Sequence, residues 1–321
     1  MQFLGKVGIL SRVKRLLFVL LAALALPASA LAWGGSYPTG DQLGSVVTIQ
    51  VADSYTQDQV VPQDWATYLG TLIHGPELSK LTLNLVPQDS VQAVCGRQAL
   101  ACYDPNTATI FLSPEDQLDE PPAKEVLIHE YGHHLANNSS DAPWTALNYG
   151  TKRWSSYENI CSKAANGLAS PGDEGSHYFQ NSGEAFAESY RVLNLEKEGT
   201  AAADIGWDIV DHSFFPDPTA LKLLEEDVTT PWTGPTAAVL HGSFGAGVMR
   251  TFVVKTQLDG SFVAHLVAPS KSRMRIDLYR GATLIARGGT VHYQVCGQRT
   301  LTLKVERLSG LGAFSVQLTK P

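Results

Sequence analysis

The sequence predicts an α+β domain followed by a small all-β domain. In the first two thirds of the chain, strand-like runs rich in β-branched residues alternate with helical segments. From residue 234 onward only short alternating runs appear, separated by turns and without a helical period. The chain has 321 residues, of which 44% are hydrophobic, enough to form a sizeable core. We place the domain boundary in the proline-rich segment around Gly234, which gives domains over 33–233 and 234–321.

The first 32 residues have the pattern of a secretory signal peptide. Four basic residues precede an apolar run over 16–26, and small residues follow at alternate positions, at Ala28, Ala30 and Ala32. Cleavage is expected after Ala30 or Ala32. The apolar run is shorter than the roughly 20 residues that span a bilayer. We therefore expect a secreted or periplasmic protein that keeps no membrane anchor after cleavage.

The charge of the exported chain is acidic. Removing residues 1–32 takes away four positive charges and leaves a net charge of about −11. This average argues against nucleic acid or an anionic membrane as a partner. Nothing in the composition indicates an oligomeric state.

Four cysteines remain in the exported chain, and an even number in that setting indicates disulfides. Cys95 and Cys102 are close enough in sequence to close a small loop, which leaves Cys161 and Cys296 for a second bridge. Four cysteines allow three pairings, so the other two remain open. A structural zinc site is the competing interpretation, but the Cys-x6-Cys spacing does not suit one.

The elements of the first domain follow from local patterns. The sequence predicts strands over 46–51, 81–86 and 107–112, and helices over 64–73, from Pro122 to about Asn137, over 182–195 and over 217–226. Prolines suit the first turn of a helix, which places the second helix directly after Pro121 and Pro122. In the second domain, six alternating runs between residues 251 and 318 predict a sandwich of roughly 85 residues.

The segment His129-Glu130-Tyr131-Gly132-His133 lies within the predicted helix after Pro122. Histidines at i and i+4 share one helix face, about 5–6 Å apart, which suits binding of one metal ion by both rings. Neutral imidazoles suit zinc, and Glu130 beside them could act as a general base on a zinc-activated water. The competing interpretation is a surface helix with two unrelated histidines.

A tetrahedral zinc site requires a third protein ligand. The metzincin pattern would need Gly at 136 and His at 139, but the chain has Ala136 and Ser139. His134 points about 100° away from His133 around the helix, so we expect a partly exposed or packing residue there. The third ligand therefore has to come from another part of the chain.

The predicted helix over 182–195 offers two candidates. Glu184 and Glu188 are four residues apart and share one face, where like charges repel unless a cation or donor lies between them. Binding of one carboxylate to zinc, with the other accepting the N–H of a zinc-bound histidine, removes this repulsion. A solvated acidic face is the alternative.

Together, His129-Glu130-x-x-His133 and Glu184-x-Phe186-Ala187-Glu188 resemble the gluzincin class of zinc peptidases. Within that class they are most similar to the branch that includes the anthrax lethal factor catalytic domain. The resemblance covers roughly residues 110–191 and implies a zincin-like catalytic domain with one Zn²⁺. It further implies that His129, His133 and Glu184 are the ligands, Glu130 the general base, and Glu188 the group that orients a ligand histidine.

The resemblance has three further implications. A tyrosine shortly before the second helix assists the substrate oxyanion in that branch; Tyr178 matches it, though one residue nearer to the glutamate, and His177 is the alternative. Members present an edge strand before the zinc helix that pairs with extended substrate, which implies this role for 109–112. The tail from Pro235 is similar to β-sandwich domains appended to secreted bacterial peptidases.

These implications describe a secreted zinc-dependent endopeptidase that acts on a protein or peptide in extended form. An alternative from another class is a secreted binding protein with a structural or degenerate zinc site and the sandwich as an adhesion module. Glu130 argues against the alternative, because a purely structural site gains nothing from a carboxylate beside its ligands.

Overall fold

The structure is a computed structural model and describes residues 31–321. The predicted signal peptide lies outside the described residues except for Leu31 and Ala32, which begin the first strand. Within the described part of the chain, no helix is both long enough and apolar enough to span a membrane. Both helices and sheets are present, as the α+β prediction requires.

The first part of the chain forms a five-stranded mixed sheet. Its strands are β1 (Leu31–Pro38), β2 (Val46–Ala52), β3 (Thr82–Leu85), β4 (Ala101–Asp104) and β5 (Thr109–Leu112). The strand order is β1-β2-β3-β5-β4. The three central strands β2, β3 and β5 are parallel, whereas β1 and β4 pair in antiparallel fashion at the two edges.

The expectation that 109–112 is an edge strand is wrong. This segment, β5, hydrogen-bonds to β3 on one side and to β4 on the other. The edge is β4, which the sequence did not reveal because its four residues, including Cys102 and Asp104, lack an alternating apolar pattern. The turn at Pro105 and Asn106 folds β4 back along β5 and so places it outside.

Eight α-helices surround this sheet within residues 31–321. They are α1 (Pro62–Leu69), α2 (Gln88–Cys95), α3 (Ala123–Asn137), α4 (Ala146–Tyr149), α5 (Lys152–Tyr157), α6 (Ile160–Ala165), α7 (Ser182–Glu198) and α8 (Pro218–Thr229). Short 3₁₀ turns lie between them, over Pro76–Lys80, Tyr178–Gln180, Ala202–Asp204 and His212–Phe214. The predicted helices correspond to α1, α3, α7 and α8, whereas α2, α4, α5 and α6 were not predicted.

The two long helices α3 and α7 have well-defined starts. The first free backbone N–H of α3, at Ala123, donates to the Asp116 carboxylate at 2.8 Å. The side chain of Asn181 accepts from Gly183 N at 2.9 Å and caps α7. Helix α7 ends at Gly199, whose φ of 101° suits glycine. These caps fix where each helix begins, and thereby which of its residues face the other.

Helices α3 and α7 pack closely at Gly132. A Cβ at this position would lie 2.8 Å from the Cα of Ala187, so only glycine allows this approach. Around the crossing lie fully buried aromatic side chains, including Tyr131, Tyr190 and Phe186. The glycine inside the His-Glu-x-x-His segment therefore has a packing role, and it brings the metal-ligand candidates of the two helices together.

The second part of the chain forms two four-stranded antiparallel sheets that enclose a separate core. The strands are β6 (Thr236–Phe244), β7 (Met249–Lys255), β8 (Gly260–Val267), β9 (Arg273–Arg280), β10 (Thr283–Gly288), β11 (Thr290–Val295), β12 (Thr300–Ser309) and β13 (Gly312–Lys320). The sheet orders are β10-β9-β12-β7 and β11-β8-β13-β6. The sequence did not predict β6 and β10, which are mostly exposed and carry weak apolar alternation.

Two disulfides are present, and their pairing is the one preferred from the sequence. Cys95 joins Cys102 and thereby ties α2 to β4. Cys161 in α6 joins Cys296 just after β11, across 135 residues of sequence. Disulfides persist in oxidising compartments, so both bridges indicate an exported protein.

Candidate metal centre

Helices α3 and α7 bring two histidines and one glutamate together. The Nε2 atoms of His129 and His133 are 3.2 Å apart. The Glu184 carboxylate oxygens lie 3.2 Å from His129 Nε2 and 3.3 Å from His133 Nε2. One ligand atom from each of the three residues lies within 4.8 Å of the others. Two imidazole nitrogens and a carboxylate oxygen that converge in this way could hold a metal ion.

The three candidate ligands have little contact with solvent. His129 and Glu184 are buried, and His133 is half-buried. A buried carboxylate next to two imidazoles has little water to compensate its charge. The donor set therefore fits a cation both in its chemistry and in its burial.

The far side of the His129 ring is held by α7. Its Nδ1 lies 2.9 Å from Oε1 of Glu188, one helical turn beyond Glu184. Glu188 in turn accepts hydrogen bonds from Arg191, and Arg191 pairs with Glu125 of α3 at 2.9 Å. Because Glu188 contacts Nδ1 of His129, the other ring nitrogen, Nε2, faces Glu184. Glu184 and Glu188 therefore occupy different positions around His129, a difference that the sequence did not reveal.

The electrostatics of the group reflect these contacts. Burial disfavours the charged form of His129, but hydrogen bonds to Glu184 and Glu188 outweigh it and raise the pKa of His129 well above its usual value. Burial likewise opposes ionisation of Glu184, yet the adjacent His133 and His129 lower the pKa of Glu184. The site thus holds a negative carboxylate that requires positive charge beside it.

Glu130 differs from its neighbours in forming no hydrogen bond within the described part of the chain. The residue is 8% exposed and makes no hydrogen bond to any residue of the described range 31–321, so its carboxylate oxygens keep some contact with solvent. Burial is the main reason that the pKa of Glu130 is raised, and Glu184 adds to the effect. A carboxyl group in this state is available to a water molecule or a substrate and exchanges protons closer to neutral pH.

Of the two residues predicted to stabilise the substrate oxyanion, Tyr178 contacts a candidate metal ligand and His177 does not. Its hydroxyl donates to Oε2 of Glu184 at 2.7 Å. Burial and the nearby Glu184 raise the pKa of Tyr178, so this hydroxyl stays protonated and remains a donor. His177 instead pairs with Asp173 at 2.8 Å, and 59% of its side chain is exposed.

His134 is buried and outside the candidate metal group. Its Nε2 lies 2.9 Å from the backbone oxygen of Glu77, and its Nδ1 lies 3.1 Å from the hydroxyl of Tyr103 on β4. Of the two environments expected for it, the structure shows the packing one. These contacts tie α3 to the edge strand β4, so β4 lies beside the helix that carries the histidines.

Three residues near the site were not found from the sequence. Arg191 and Glu125 support Glu188, as described above. Glu174 lies in the loop before Tyr178 and forms no hydrogen bond with the histidines. Burial raises the pKa of Glu174, and repulsion by the nearby Glu184 adds to this effect. Arg191 lies three residues after Glu188 on the same helix, and this spacing was the available signal.

Comparison with known proteins adds little to this picture. The sequence matches no protein-family model, and no curated protein matches it. Among solved structures, the chain is similar to Aeromonas hydrophila PliG, a periplasmic inhibitor of g-type lysozyme, with 11% identity and a TM-score of 0.24 over 28% of this chain and 90% of that one. It is also similar to the Yersinia pseudotuberculosis-derived mitogen, with 15% identity and a TM-score of 0.24 over 27% of this chain and 87% of that one. Similarities at this level carry no functional argument.

Proposed function

We propose that this protein is a secreted zinc-dependent endopeptidase of the gluzincin type. His129, His133 and Glu184 would hold one Zn²⁺ ion, because two imidazoles and a carboxylate are a donor set that zinc uses in hydrolytic sites. The observation that carries the proposal is the Glu130 carboxyl, which lies beside these ligands, forms no hydrogen bond to the described chain and keeps some contact with solvent.

The zinc ion, when bound, supplies Lewis acidity that polarises a carbonyl group and makes water easier to deprotonate. Glu130 accepts the proton of the attacking water and delivers it to the departing amine. Its raised pKa suits both transfers, since a general acid–base group works best when its pKa is near the working pH. Tyr178, whose hydroxyl donates to Glu184 in this structure, would turn that hydroxyl towards the substrate oxygen that becomes negative.

The substrate class follows from the edge of the sheet. No described strand pairs with the outer side of β4 (Ala101–Asp104), whose Tyr103 contacts the helix that carries the histidines. A strand edge without a strand partner, beside the helix of a hydrolytic site, can bind a peptide in extended form through main-chain hydrogen bonds. We therefore assign to β4 the role that the family resemblance implied for 109–112.

The decisive variant is Glu130→Gln. It should keep stoichiometric zinc, measured by metal analysis, and lose cleavage of a peptide library by at least about 100-fold, the contribution expected of a general base. Glu196→Gln, an exposed glutamate near the end of α7, is the matched control and should keep full activity. Full activity of Glu130→Gln would overturn the assignment of the base.

The alternative function is a secreted binding protein with a structural zinc site. The two functions differ in whether the zinc-loaded wild-type protein cleaves peptides. A zinc-loaded chain that cleaves no peptide of an unbiased library at any pH would favour the binding protein and overturn the peptidase. A carboxyl that forms no hydrogen bond to the ligands contributes nothing to a purely structural site, which is why we favour the enzyme.

A further inference from the structure

The two parts of the chain carry opposite charge. Residues 33–235 contain nine Lys and Arg against 28 Asp and Glu, a net charge of −19, whereas residues 236–321 contain eleven against three, a net charge of +8. The value of about −11 for residues 33–321, which argued against an anionic partner, is an average over these two parts. Local charge, rather than the average, decides what a surface attracts.

The acidic residues of the sandwich do not neutralise its surface, because all three are already paired. Asp259 pairs with Arg299 at 3.0 Å, Asp277 with Arg287 at 2.8 Å, and Glu306 with Arg275 at 2.6 Å. Within residues 31–321, the other eight cationic side chains of the sandwich have no carboxylate within 4.0 Å; they are Arg250, Lys255, Lys271, Arg273, Arg280, Lys304, Arg307 and Lys320.

The two ends of the sandwich have different surroundings. One end contacts the first part of the chain, through the Cys161–Cys296 disulfide and a hydrogen bond from Asp259 N to Ser156 Oγ. The opposite end, which we call the distal tip, consists of residues 245–250, 267–273 and 307–312. The backbone of Arg307 donates to Val248 O, and Ser272 Oγ donates to Leu311 O, so these three segments form one surface.

The distal tip combines exposed aliphatic side chains with unpaired cations. Val248 is 59% exposed and Leu311 57%, and three further apolar side chains of the tip are also exposed, namely Met249, Val267 and Leu308. Soluble proteins seldom cluster exposed aliphatic residues in this way without a binding role. Half of the eight unpaired cations lie in the same three segments, namely Arg250, Lys271, Arg273 and Arg307.

We propose that the distal tip docks on the surface of an anionic phospholipid bilayer. Aliphatic side chains can enter the boundary between headgroups and acyl chains while arginine and lysine pair with the phosphates. Single-stranded nucleic acid would instead be met by cations and stacking aromatic rings, and the three tip segments contain no aromatic residue. The acidic first part of the chain lies at the opposite end of the sandwich and is repelled by the same bilayer. The protein therefore approaches the bilayer with the distal tip in front.

The experiment measures sedimentation of the mature chain with phosphatidylcholine vesicles that contain or lack phosphatidylglycerol. We expect binding to the anionic vesicles alone, weakened by NaCl because the attraction is screened. Two pairs of variants test the tip. Arg273→Glu, at the tip end of β9, should weaken vesicle binding about ten-fold, because each basic residue near an anionic surface contributes roughly five-fold to the affinity. Arg280→Glu, at the other end of β9, is the control and should change binding by less than about two-fold.

The second pair tests the aliphatic side chains. Val248→Ser in the tip should weaken vesicle binding several-fold, whereas Val253→Ser, which is 64% exposed on the face of β7, should not. Absence of binding to anionic vesicles would overturn the proposal. Equal effects of the two variants within either pair would also overturn it. Binding of polyphosphate, together with vesicle binding that Val248→Ser does not change, would indicate a general polyanion site and would overturn it as well. Thermal melting confirms that each variant is folded, and no readout depends on zinc or peptidase activity.

Discussion

Arg191 donates from Nε and Nη2 to the Glu188 carboxylate oxygen Oε2, at 3.0 and 2.7 Å. The other oxygen of Glu188 lies 2.9 Å from Nδ1 of His129. The Arg191 guanidinium therefore holds the Glu188 carboxylate, and this carboxylate orients the His129 ring. Arg191 itself forms no hydrogen bond with the three candidate metal ligands. Supporting groups of this kind tune metal affinity because they set the orientation and tautomer of the ligand.

Arg191→Met should therefore lower zinc affinity by about 10- to 100-fold, measured by competition with a chelator of known affinity. Glu125→Gln is the control, because it weakens the other ion pair of Arg191, at 2.9 Å, and leaves the contacts with Glu188 in place. We expect a change of less than about three-fold for the control. Wild-type zinc affinity in Arg191→Met would show that the arginine serves packing alone.

The two glutamates of α7 should separate in their effect on metal binding. Glu184 faces both Nε2 atoms, whereas Glu188 faces only the far nitrogen of His129. Glu184→Gln should consequently lower zinc affinity by more than about 100-fold, and Glu188→Gln by about 10- to 100-fold. The same chelator competition gives both values, and the reverse order would assign Glu188 as the direct ligand.

Gly132→Ala should destabilise the protein by about 1–3 kcal/mol, the usual cost of overpacking a core. The added methyl would lie 2.8 Å from the Cα of Ala187, a backbone atom that cannot move aside without shifting α7. Urea unfolding measures the change. Gly245→Ala, where an added Cβ meets nothing within 4 Å, should have little effect. Rescue of Gly132→Ala by Ala187→Gly would contradict a backbone clash.

The pH dependence of stability should contain a contribution from Asp41. Burial opposes its ionisation, but hydrogen bonds from Ser45 outweigh burial and lower the pKa of Asp41 to about 2. The unfolded carboxyl, with a pKa near 4, binds protons more tightly, so this stabilisation is present above pH 4 and lost as the pH falls from about 4 to about 2. The advantage of wild type over Asp41→Asn in urea unfolding should shrink by on the order of 1–2 kcal/mol over that range. An advantage that grows on acidification would refute this assignment.

The local parts of the candidate site could be predicted because they depend on helix periodicity. His129 and His133 are four residues apart, as are Glu184 and Glu188, and a helix places such pairs on one face whatever surrounds it. Gly132 was part of the same segment, yet its packing against Ala187 was invisible, because the partner lies on a helix more than fifty residues away. Arg191 was missed although its spacing from Glu188 was a local signal, whereas its second partner, Glu125, belongs to α3 and was invisible.

What the sequence determined by itself was the pair of helices with their donor residues, the all-β character of the second part and the set of four cysteines. These properties follow from spacing and composition, which act between residues close in the chain. Only the tertiary structure decided that β4 rather than 109–112 forms the sheet edge, and that four cations and five aliphatic residues share the distal tip. Strand order and surface clustering arise from contacts between distant segments, and a strand carries no local mark of which neighbour will pair with it.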